Sequence, residues 1–260
     1  MPYRGKPRQQ IRNATGAIVK ISIPQKAFKS LLLLVQYAMA QQDIRYYLNG
    51  MLLVLDADRL KVVATDGHRL AYASMQLADK STEPLEVILP RKAVQELVKL
   101  LGDTEDEVKL ELTATQAKLQ IQDVVLVSKV VDGKFPDYTR VIPTNYQKNF
   151  VIERSILQQA LQRVAILSNE KFRGVRWVLT GGQLRIACTN TEQEEAFEEI
   201  EITYSGEALD IGFNVTYLLD VLANLASEKV TCSFGDANSS VLVTIIEDAN
   251  FKYVVMPMRI

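Results

Sequence analysis

The stretch Lys61–Ala71 reads Lys-Val-Val-Ala-Thr-Asp-Gly-His-Arg-Leu-Ala. Its apolar ends are typical of a buried strand pair, and Asp66-Gly67 between them is a strong hairpin signal, because Gly adopts positive φ without a Cβ clash. The turn also carries His68, the only histidine in the 260 residues. Polar groups displayed beside an apolar wall indicate a binding site, although a lone histidine in a turn is more often only a solvated or capping residue.

The composition is that of a soluble globular protein, with 48% hydrophobic residues and no apolar run near the length of a membrane span. The N-terminus lacks the apolar stretch of a signal peptide, so the cytoplasm is the expected location. Cys188 and Cys232 are too few and too far apart for a metal-binding pattern. We therefore expect two reduced, buried thiols, and neither a metal nor a cofactor.

The net charge of −1 argues against a protein that simply coats nucleic acid. Residues 1–146 hold 20 Lys+Arg against 16 Asp+Glu, whereas residues 147–260 hold 10 against 15. This asymmetry is compatible with one basic and one acidic surface that meet different partners. Residues 1–17 contain no acid and no sustained helix or strand pattern, and we expect a disordered basic arm there.

Four segments of the chain repeat one pattern, in which a strand leads into an amphipathic helix and then into three strands. The anchor residues at the helix starts are Pro24, Pro90, Glu153 and Asn214, which are 66, 63 and 61 residues apart, and we expect Asn214 to be a helix N-cap. The predicted helices are 25–40, 91–101, 154–167 and 214–225, and the predicted strands after them lie near 46–55, 59–65, 69–76, 107–113, 116–121, 124–130, 174–180, 183–189, 195–203, 229–234, 240–246 and 251–256. The repeat predicts an α+β fold of two tandem domains, 18–143 and 144–260, each built from two β-α-β-β-β units with helices on one face of antiparallel sheets.

Five segments resemble the bacterial DNA polymerase III β subunit family, the sliding clamps. They are Arg45-Tyr-Tyr-Leu-Asn-Gly50, Thr65-Asp-Gly-His-Arg-Leu-Ala71, Lys129-Val-Val-Asp-Gly-Lys-Phe-Pro-Asp-Tyr138, Leu167-Ser-Asn-Glu-Lys-Phe-Arg-Gly-Val175 and Tyr253-Val-Val-Met-Pro-Met-Arg-Ile260. The resemblance covers about residues 21–260 and implies the DNA clamp fold. Family members have three domains and close as dimers into six-domain rings, whereas this chain resembles the central and C-terminal domains, so we expect the first domain to be absent.

The resemblance implies a non-catalytic processivity factor in DNA replication, which tethers DNA polymerase III and other replication or repair proteins to duplex DNA. Family partners, including the polymerase catalytic subunit and the clamp loader, insert a short apolar peptide between the two domains. The matching pocket residues are Leu48, Thr65, Gly67, His68, Arg69, Leu70, Pro136, Arg140, Val141, Phe172, Asn214, Tyr217, Ser240, Val254, Val255, Met256, Pro257, Met258, Arg259 and Ile260. Methionines suit a pocket that accepts several peptides, because an unbranched thioether repacks easily.

Two further surfaces follow from the resemblance. The residues that match the family's contacts to double-stranded DNA are Gln42, Arg45, Tyr46, Tyr47 and Lys92. Lys26, Lys29, Arg91, Lys99, Arg154 and Arg163 lie on predicted helices and would add positive potential, although helix cations are more often only a solvated face. The residues that match the family's subunit interface are Ile166, Leu167, Glu194, Glu195, Glu198 and Glu199. As an alternative, the glutamates form only a solvated strand edge that discourages aggregation.

Three functions remain open at this point. In the first, copies of the chain form a homo-oligomeric ring. One hypothesis is that three two-domain chains together rebuild the six-domain ring of the family. In the second, a truncated regulatory form binds polymerase peptides without encircling DNA. The third is an enzyme built on Asp66 and His68, but the chain has no Gly-x-Ser-x-Gly, Walker loop, metal-spaced carboxylates or Cys-His signature, so we expect no intrinsic catalysis.

Overall fold

The computed structural model describes residues 18–78, 84–169 and 171–259, and the predicted arm 1–17 lies outside them. These residues form four consecutive units, A to D, each with one helix and four strands. Unit A comprises β1 Val19–Pro24, α1 Gln25–Leu33, β2 Gly50–Asp56, β3 Arg59–Thr65 and β4 Arg69–Gln76; unit B comprises β5 Leu85–Pro90, α2 Arg91–Leu100, β6 Glu107–Leu112, β7 Gln116–Ile121 and β8 Val124–Lys129. Unit C comprises β9 Lys148–Glu153, α3 Arg154–Val164, β10 Gly174–Thr180, β11 Gln183–Thr189 and β12 Glu195–Glu201; unit D comprises β13 Leu209–Asn214, α4 Val215–Asn224, β14 Lys229–Phe234, β15 Val241–Thr244 and β16 Lys252–Val255. The fourfold repeat and the α+β class are confirmed.

All four predicted anchors occupy the N-cap position of their helix. Pro24 and Pro90 have extended backbone and are each followed by the first helical residue, since proline fixes φ near the value that a chain entering a helix needs. Asn214 caps α4 through its side chain, which accepts a hydrogen bond from the amide of Thr216 at 2.9 Å. The predicted role of Asn214 as an N-cap is thus confirmed.

Neighbouring units exchange their first strands. The strand β1 of unit A pairs with β6 of unit B, and β5 of unit B pairs with β2 of unit A; β9 and β13 are exchanged between units C and D in the same way. The sheets therefore have the strand orders β1-β6-β7-β8, β12-β11-β10-β13 and β5-β2-β3-β4-β16-β15-β14-β9. This exchange ties A to B and C to D.

The helices cover one face of the sheets and bury their apolar stripes there. In the first pair of units, Phe28 and Leu32 of α1 and Val94 and Leu97 of α2 are almost completely inaccessible to solvent. In the second pair, Trp177 is fully buried and its ring lies edge-on against Phe213, with ring centroids 5.4 Å apart. Fully burying such side chains stabilises the fold by about 1.5–3 kcal/mol each, which makes this face the main source of stability.

The two pairs of units are joined edge to edge by β4 and β16. These strands run antiparallel, with Ala71 opposite Tyr253 and Leu70 opposite Val254. Beyond the strand, the amide of Met256 donates to the carbonyl of His68 at 2.8 Å. The joint makes one continuous eight-stranded sheet, and it places the turn at 65–70 beside the C-terminal strand.

Two predicted boundaries differ most from the structure. The helix predicted over 25–40 ends at Leu33, and a 3-10 turn follows at Gln36–Ala38; both conformations satisfy the same apolar spacing, so periodicity did not separate them. The strand predicted from residue 46 begins at Gly50, because residues 46–48 form a 3-10 turn. The amide of Asp43 donates to the side-chain oxygen of Asn49 and the side-chain nitrogen of Asn49 donates to the carbonyl of Asp43, so these bonds close the loop just before β2.

Candidate functional site

The turn between β3 and β4 is held by its own side chains. One carboxylate oxygen of Asp66 accepts from the amides of His68 at 2.9 Å and Arg69 at 3.0 Å. The hydroxyl of Thr65 accepts from the amide of Gly67 and donates to the carbonyl of Arg69. Gly67 has φ of 92°, a region that other residues rarely adopt. The hairpin prediction is confirmed, and hydrogen bonds within the turn define its conformation.

A cavity of about 610 Å³ opens beside this turn. Its lining comes from the loop before β2, from the turn, from the segment that links the two pairs of units, and from unit D. The lining residues are Arg45, Leu48, Thr65, Gly67, His68, Arg69, Leu70, Pro136, Arg140, Val141, Pro143, Tyr146, Asn238, Ser239, Ser240, Val254 and Met256. Such a volume suits a small ligand or a few side chains of a peptide.

The floor of the cavity is apolar and its rim is polar. Leu48, Leu70 and Val254 are buried, and they come from three different parts of the chain. His68 and Arg140 are exposed at the rim. An apolar floor favours aliphatic or aromatic groups of a ligand, while the rim groups can bind its carbonyls or carboxylates.

Arg69 connects the cavity to the opposite pair of units. Its guanidinium bonds to Asp66 Oδ2 at 3.0 Å, to Asp220 Oδ2 of α4 at 2.5 Å and to the carbonyl of Tyr37 at 2.8 Å. It also lies 4.4 Å from the ring centroid of Tyr217. Burial by itself lowers the pKa of Arg69, but interactions with Tyr253 and with Asp220 outweigh burial, so its pKa is raised. A permanently charged side chain with this many partners fixes one wall of the cavity.

Arg45 lies at the cavity wall as well as at the predicted DNA surface. Its guanidinium bonds to Asp43 Oδ2 at 2.8 Å and to the carbonyl of Asp66 at 3.3 Å. The hydrogen bonds that the side chain and then the backbone amide of Arg45 donate to the carboxylate of Asp43 lower the pKa of Asp43 to about 2. A Cβ on Gly67 would lie 2.9 Å from Arg45 Nη2, the movable end of a long side chain, so the positive φ of this residue, rather than lack of space, favours glycine here.

The cavity brings together twelve of the residues that the sequence assigned to a peptide pocket. Phe172, Asn214, Tyr217, Val255, Pro257, Met258 and Arg259 do not line it, and Ile260 lies outside the described residues. Tyr217 contacts Arg69, which lines the cavity, and Met258 pairs with Gly212 by a backbone hydrogen bond of 2.8 Å. Sequence reasoning missed Pro143, Tyr146, Asn238 and Ser239. They lie in loops without periodicity, so no local pattern marked them.

Most of the predicted DNA-contact residues are exposed, and one of them, Arg45, lines the cavity. Gln42, Tyr46 and Lys92 are exposed, and Tyr47 is half-buried. Two of the helix cations named above donate hydrogen bonds to backbone carbonyls: Arg91 to Met39 at 2.8 Å, and Arg154 to Leu222 at 3.0 Å.

The predicted interface residues all belong to unit C: Glu195, Glu198 and Glu199 lie on the edge strand β12, Glu194 lies just before it, and Ile166 and Leu167 lie in a 3-10 turn after α3. Ile166 is largely exposed, and Leu167 beside it is half-buried. The carboxylate of Glu198 accepts two hydrogen bonds from Arg163, of 2.6 and 3.0 Å. Glu194 bonds to Asn190, whereas Glu195 and Glu199 face Arg185. The acidic strand is therefore partly neutralised by its own unit.

Cys188 and Cys232 are buried and are not bonded to each other, as expected. Across the part of the chain that the structure describes, no group of three or more His, Cys, Asp or Glu side chains is placed to hold a metal ion. Among the same residues, none of the helices combines the length and hydropathy that crossing a bilayer would require.

Comparison with known proteins identifies the fold. Residues 22–137 match the family model for the central domain of the DNA polymerase III beta subunit, and residues 139–259 match the model for its C-terminal domain. The beta sliding clamp of Proteus mirabilis is 49% identical over 243 residues, which cover 93% of this chain and 66% of that protein.

Solved structures give the same result. A crystal structure of the DNA polymerase sliding clamp from Pseudomonas aeruginosa with ligand is 44% identical, has a TM-score of 0.91 and is matched over 100% of this chain and 70% of that one. Another structure, of a sliding clamp from the same organism bound to griselimycin, is 44% identical with a TM-score of 0.90. The match covers 100% of this chain and 70% of that clamp's chain. The chain belongs to the DNA polymerase III beta subunit family, the beta sliding clamps, which are non-catalytic processivity subunits.

Proposed function

We propose that this chain is a DNA sliding clamp that holds DNA polymerase III and other replication or repair proteins on duplex DNA through a peptide pocket. The observation that carries the proposal is the cavity at the β4–β16 joint, lined by both pairs of units. A partner bound there contacts both pairs at once. Family membership supports the same assignment.

Units A and B, residues 18–143, then form the central clamp domain, and units C and D, residues 144–260, form the C-terminal domain. The family matches at 22–137 and 139–259 support a boundary in the segment that links β8 to β9. Pro143 and Tyr146 of this linking segment line the cavity, so the linker is itself part of the proposed site.

The pocket binds partners chiefly by removing apolar surface from water. Leu48, Leu70 and Val254 are already packed, so a ligand side chain gains about 25 cal/mol for each Å² of apolar surface it buries and does not reorganise the floor. Met256 is partly exposed at the cavity and can repack around ligands of different shape. The structure of the P. aeruginosa clamp bound to griselimycin supports ligand binding by this fold.

Duplex DNA is held without reading its sequence. The proposed contacts are Gln42, Arg45, Tyr46, Tyr47 and Lys92, and the two cations among them attract phosphates. Because Arg45 also lines the cavity, the pocket and the DNA surface share one side chain. Retention on DNA then depends mainly on a closed ring of copies.

The pocket is tested by calorimetric titration with griselimycin. Replacing Met256 with Glu places a charge in the cavity wall and removes a contact, and we expect the affinity to fall at least about tenfold. Ile246→Asp is the matched control, because Ile246 is also exposed but does not line the cavity. Equal affinity in wild type and Met256→Glu would remove the pocket assignment.

DNA tethering is tested by retention on duplex circles. We expect the purified chain to stay on nicked circular DNA in high salt and to be lost when the circle is linearised, since topology does not depend on phosphate contacts. Ligand binding in the pocket without retention on circles would instead favour the regulatory form that binds peptides only.

A further inference from the structure

Two walls of the cavity come from different pairs of units. One wall is the turn between β3 and β4 in unit A, and the other belongs to unit D and includes Val254 and Met256. The strands β4 and β16 align over only four residue pairs, and the last of these sets Arg69 opposite Val255. Past this point, the amide of Met256 donates to the carbonyl of His68 at 2.8 Å. The spacing between these two walls is therefore set at the end of a short strand pair.

Arg69 adds a side-chain connection beside this strand pair. Its guanidinium reaches from unit A to Asp220 of α4, with Nη1 and Oδ2 2.5 Å apart. It also lies 4.4 Å from the ring centroid of Tyr217, which is a cation–π contact. Tyr217 and Asp220 are three residues apart on α4, so they share one face of that helix. Unit D thus contacts this guanidinium through a negative charge and an aromatic ring.

The same guanidinium also bonds to the turn that forms the first wall. Its Nε donates to Oδ2 of Asp66 at 3.0 Å, while Oδ1 of that carboxylate accepts from the amides of His68 and Arg69. A planar guanidinium presents its donors in a fixed fork, so the two carboxylates that it binds are held in a defined relation to each other. Asp220 in unit D is therefore connected, through one planar group, to the carboxylate that shapes the turn.

The helix α4 is tied to the second wall as well. The hydroxyl of Tyr253, a fully buried residue of β16, donates to the carbonyl of Tyr217 at 2.9 Å. Tyr253 directly precedes Val254, which is part of the cavity floor. The contacts thus run from the turn through Arg69 to α4, and from α4 to the strand that carries Val254. Asp220 stands in the middle of this series and does not itself line the cavity.

We propose that Asp220 is a positioning residue of the peptide pocket: acting through Arg69, it holds the turn at 65–70 at the correct spacing from the C-terminal strand. The inference rests on the proposed function and adds to the pocket a residue that the ligand does not touch. A site whose walls are already held in place loses less conformational freedom when a ligand binds, so it binds that ligand more tightly.

The first test is calorimetric titration of griselimycin into Asp220→Asn, which removes the charge and keeps the size of the side chain. The titration is done at a temperature at which every variant is folded, so a loss of stability alone leaves the affinity unchanged. We expect the affinity to fall about three- to tenfold, the order of effect that substitutions away from a ligand can have. Equal affinity in Asp220→Asn and the wild type overturns the inference.

Asp210→Asn is the matched control for the loss of charge. Asp210 also forms an ion pair with an arginine, Arg176, within the second pair of units, and neither residue lines the cavity. We expect Asp210→Asn to bind griselimycin like the wild type. A loss of affinity as large as that in Asp220→Asn overturns the inference, because the effect would then not depend on the contact with Arg69.

A double-mutant cycle on the affinity tests whether Asp220 acts through Arg69. In the Arg69→Met background the connection is already lost, so we expect Asp220→Asn to change the affinity by less than about twofold. The same loss of affinity in both backgrounds overturns the inference, since Asp220 would then act by another route.

A second measurement needs neither a ligand nor a change at Arg69. The amide of Met256 donates to the carbonyl of His68, so its NMR resonance reports on the spacing between the two walls. We expect this resonance to shift in unliganded Asp220→Asn and to stay unchanged in Asp210→Asn. An unchanged resonance in Asp220→Asn overturns the inference even if Arg69→Met does not fold. A wild type that does not bind griselimycin contradicts the proposed pocket instead, and the resonance of Met256 then still shows whether Asp220 positions the turn.

Discussion

The ion pair between Arg69 and Asp220 crosses the joint between the two pairs of units, and removing it should lower the free energy of unfolding of the protein. Arg69 begins β4, whereas Asp220 lies on α4, 151 residues later, and their atoms Nη1 and Oδ2 are 2.5 Å apart. The perturbation is Asp220→Ala, which leaves the guanidinium in place with Asp66 and the carbonyl of Tyr37 as its remaining partners.

The magnitude follows from burial. Removing one partner of a fully buried ion pair costs about 3–5 kcal/mol, because the other charge stays buried without compensation. Here the side chain of Arg69 is 10% exposed but that of Asp220 is 36% exposed, so water screens part of the interaction. Asp66 also continues to compensate the charge. We therefore expect Asp220→Ala to lower the free energy of unfolding by about 1–2 kcal/mol.

The assay is urea unfolding of a double-mutant cycle made from Asp220→Ala, Arg69→Ala and their combination. We expect a coupling energy of about 1–2 kcal/mol. Glu96→Ala, which breaks the exposed ion pair with Lys99, is the control and should change stability by less than about 0.5 kcal/mol. A coupling energy below about 0.3 kcal/mol would refute the view that this pair links the two halves of the molecule.

Four further outcomes are expected. Tyr253→Phe should lower the free energy of unfolding by about 1–2 kcal/mol, since the lost hydroxyl donates at 2.9 Å to a backbone carbonyl of α4. Tyr37→Phe, its matched control, should cost less than about 0.5 kcal/mol, because within the described residues its buried hydroxyl has no hydrogen-bond partner. By NMR, the carboxyl of Asp43 should titrate near pH 2, and in Arg45→Ala its pKa should return toward the ordinary value. Because the pKa of Asp43 is depressed in the folded state, the stabilisation from this pair is complete above about pH 4 and is lost as the pH falls toward about 2. An unchanged pKa of Asp43 in Arg45→Ala would contradict the view that Arg45 causes the shift. The thiol of Cys232, whose pKa burial raises to about 12, should not react with a disulfide reagent at pH 8 unless urea is added.

The sequence determined the repeat and its local elements. Spacing of apolar residues located the four helices, and the residues at their starts, including Pro24 and Asn214, were read as anchors and occupy the N-cap positions. The turn at Asp66-Gly67 could be predicted from local chemistry, because an Asp side chain bonds to the backbone of the next residues and glycine adopts the positive φ that the turn needs. The resemblance to a family identified most of the residues that line the cavity, and periodicity alone did not identify them.

Only the tertiary structure decided how the units combine. The exchange of β1 and β5 and the pairing of β4 with β16 depend on hydrogen bonds between strands that are far apart in the chain. Any exposed strand edge offers the same backbone groups, so local sequence does not specify which edges meet. The bond from Arg69 to Asp220 and the addition of Tyr146 to the cavity are consequences of that pairing. The chain thus encodes its elements locally, whereas the site between them exists only after the two halves have joined.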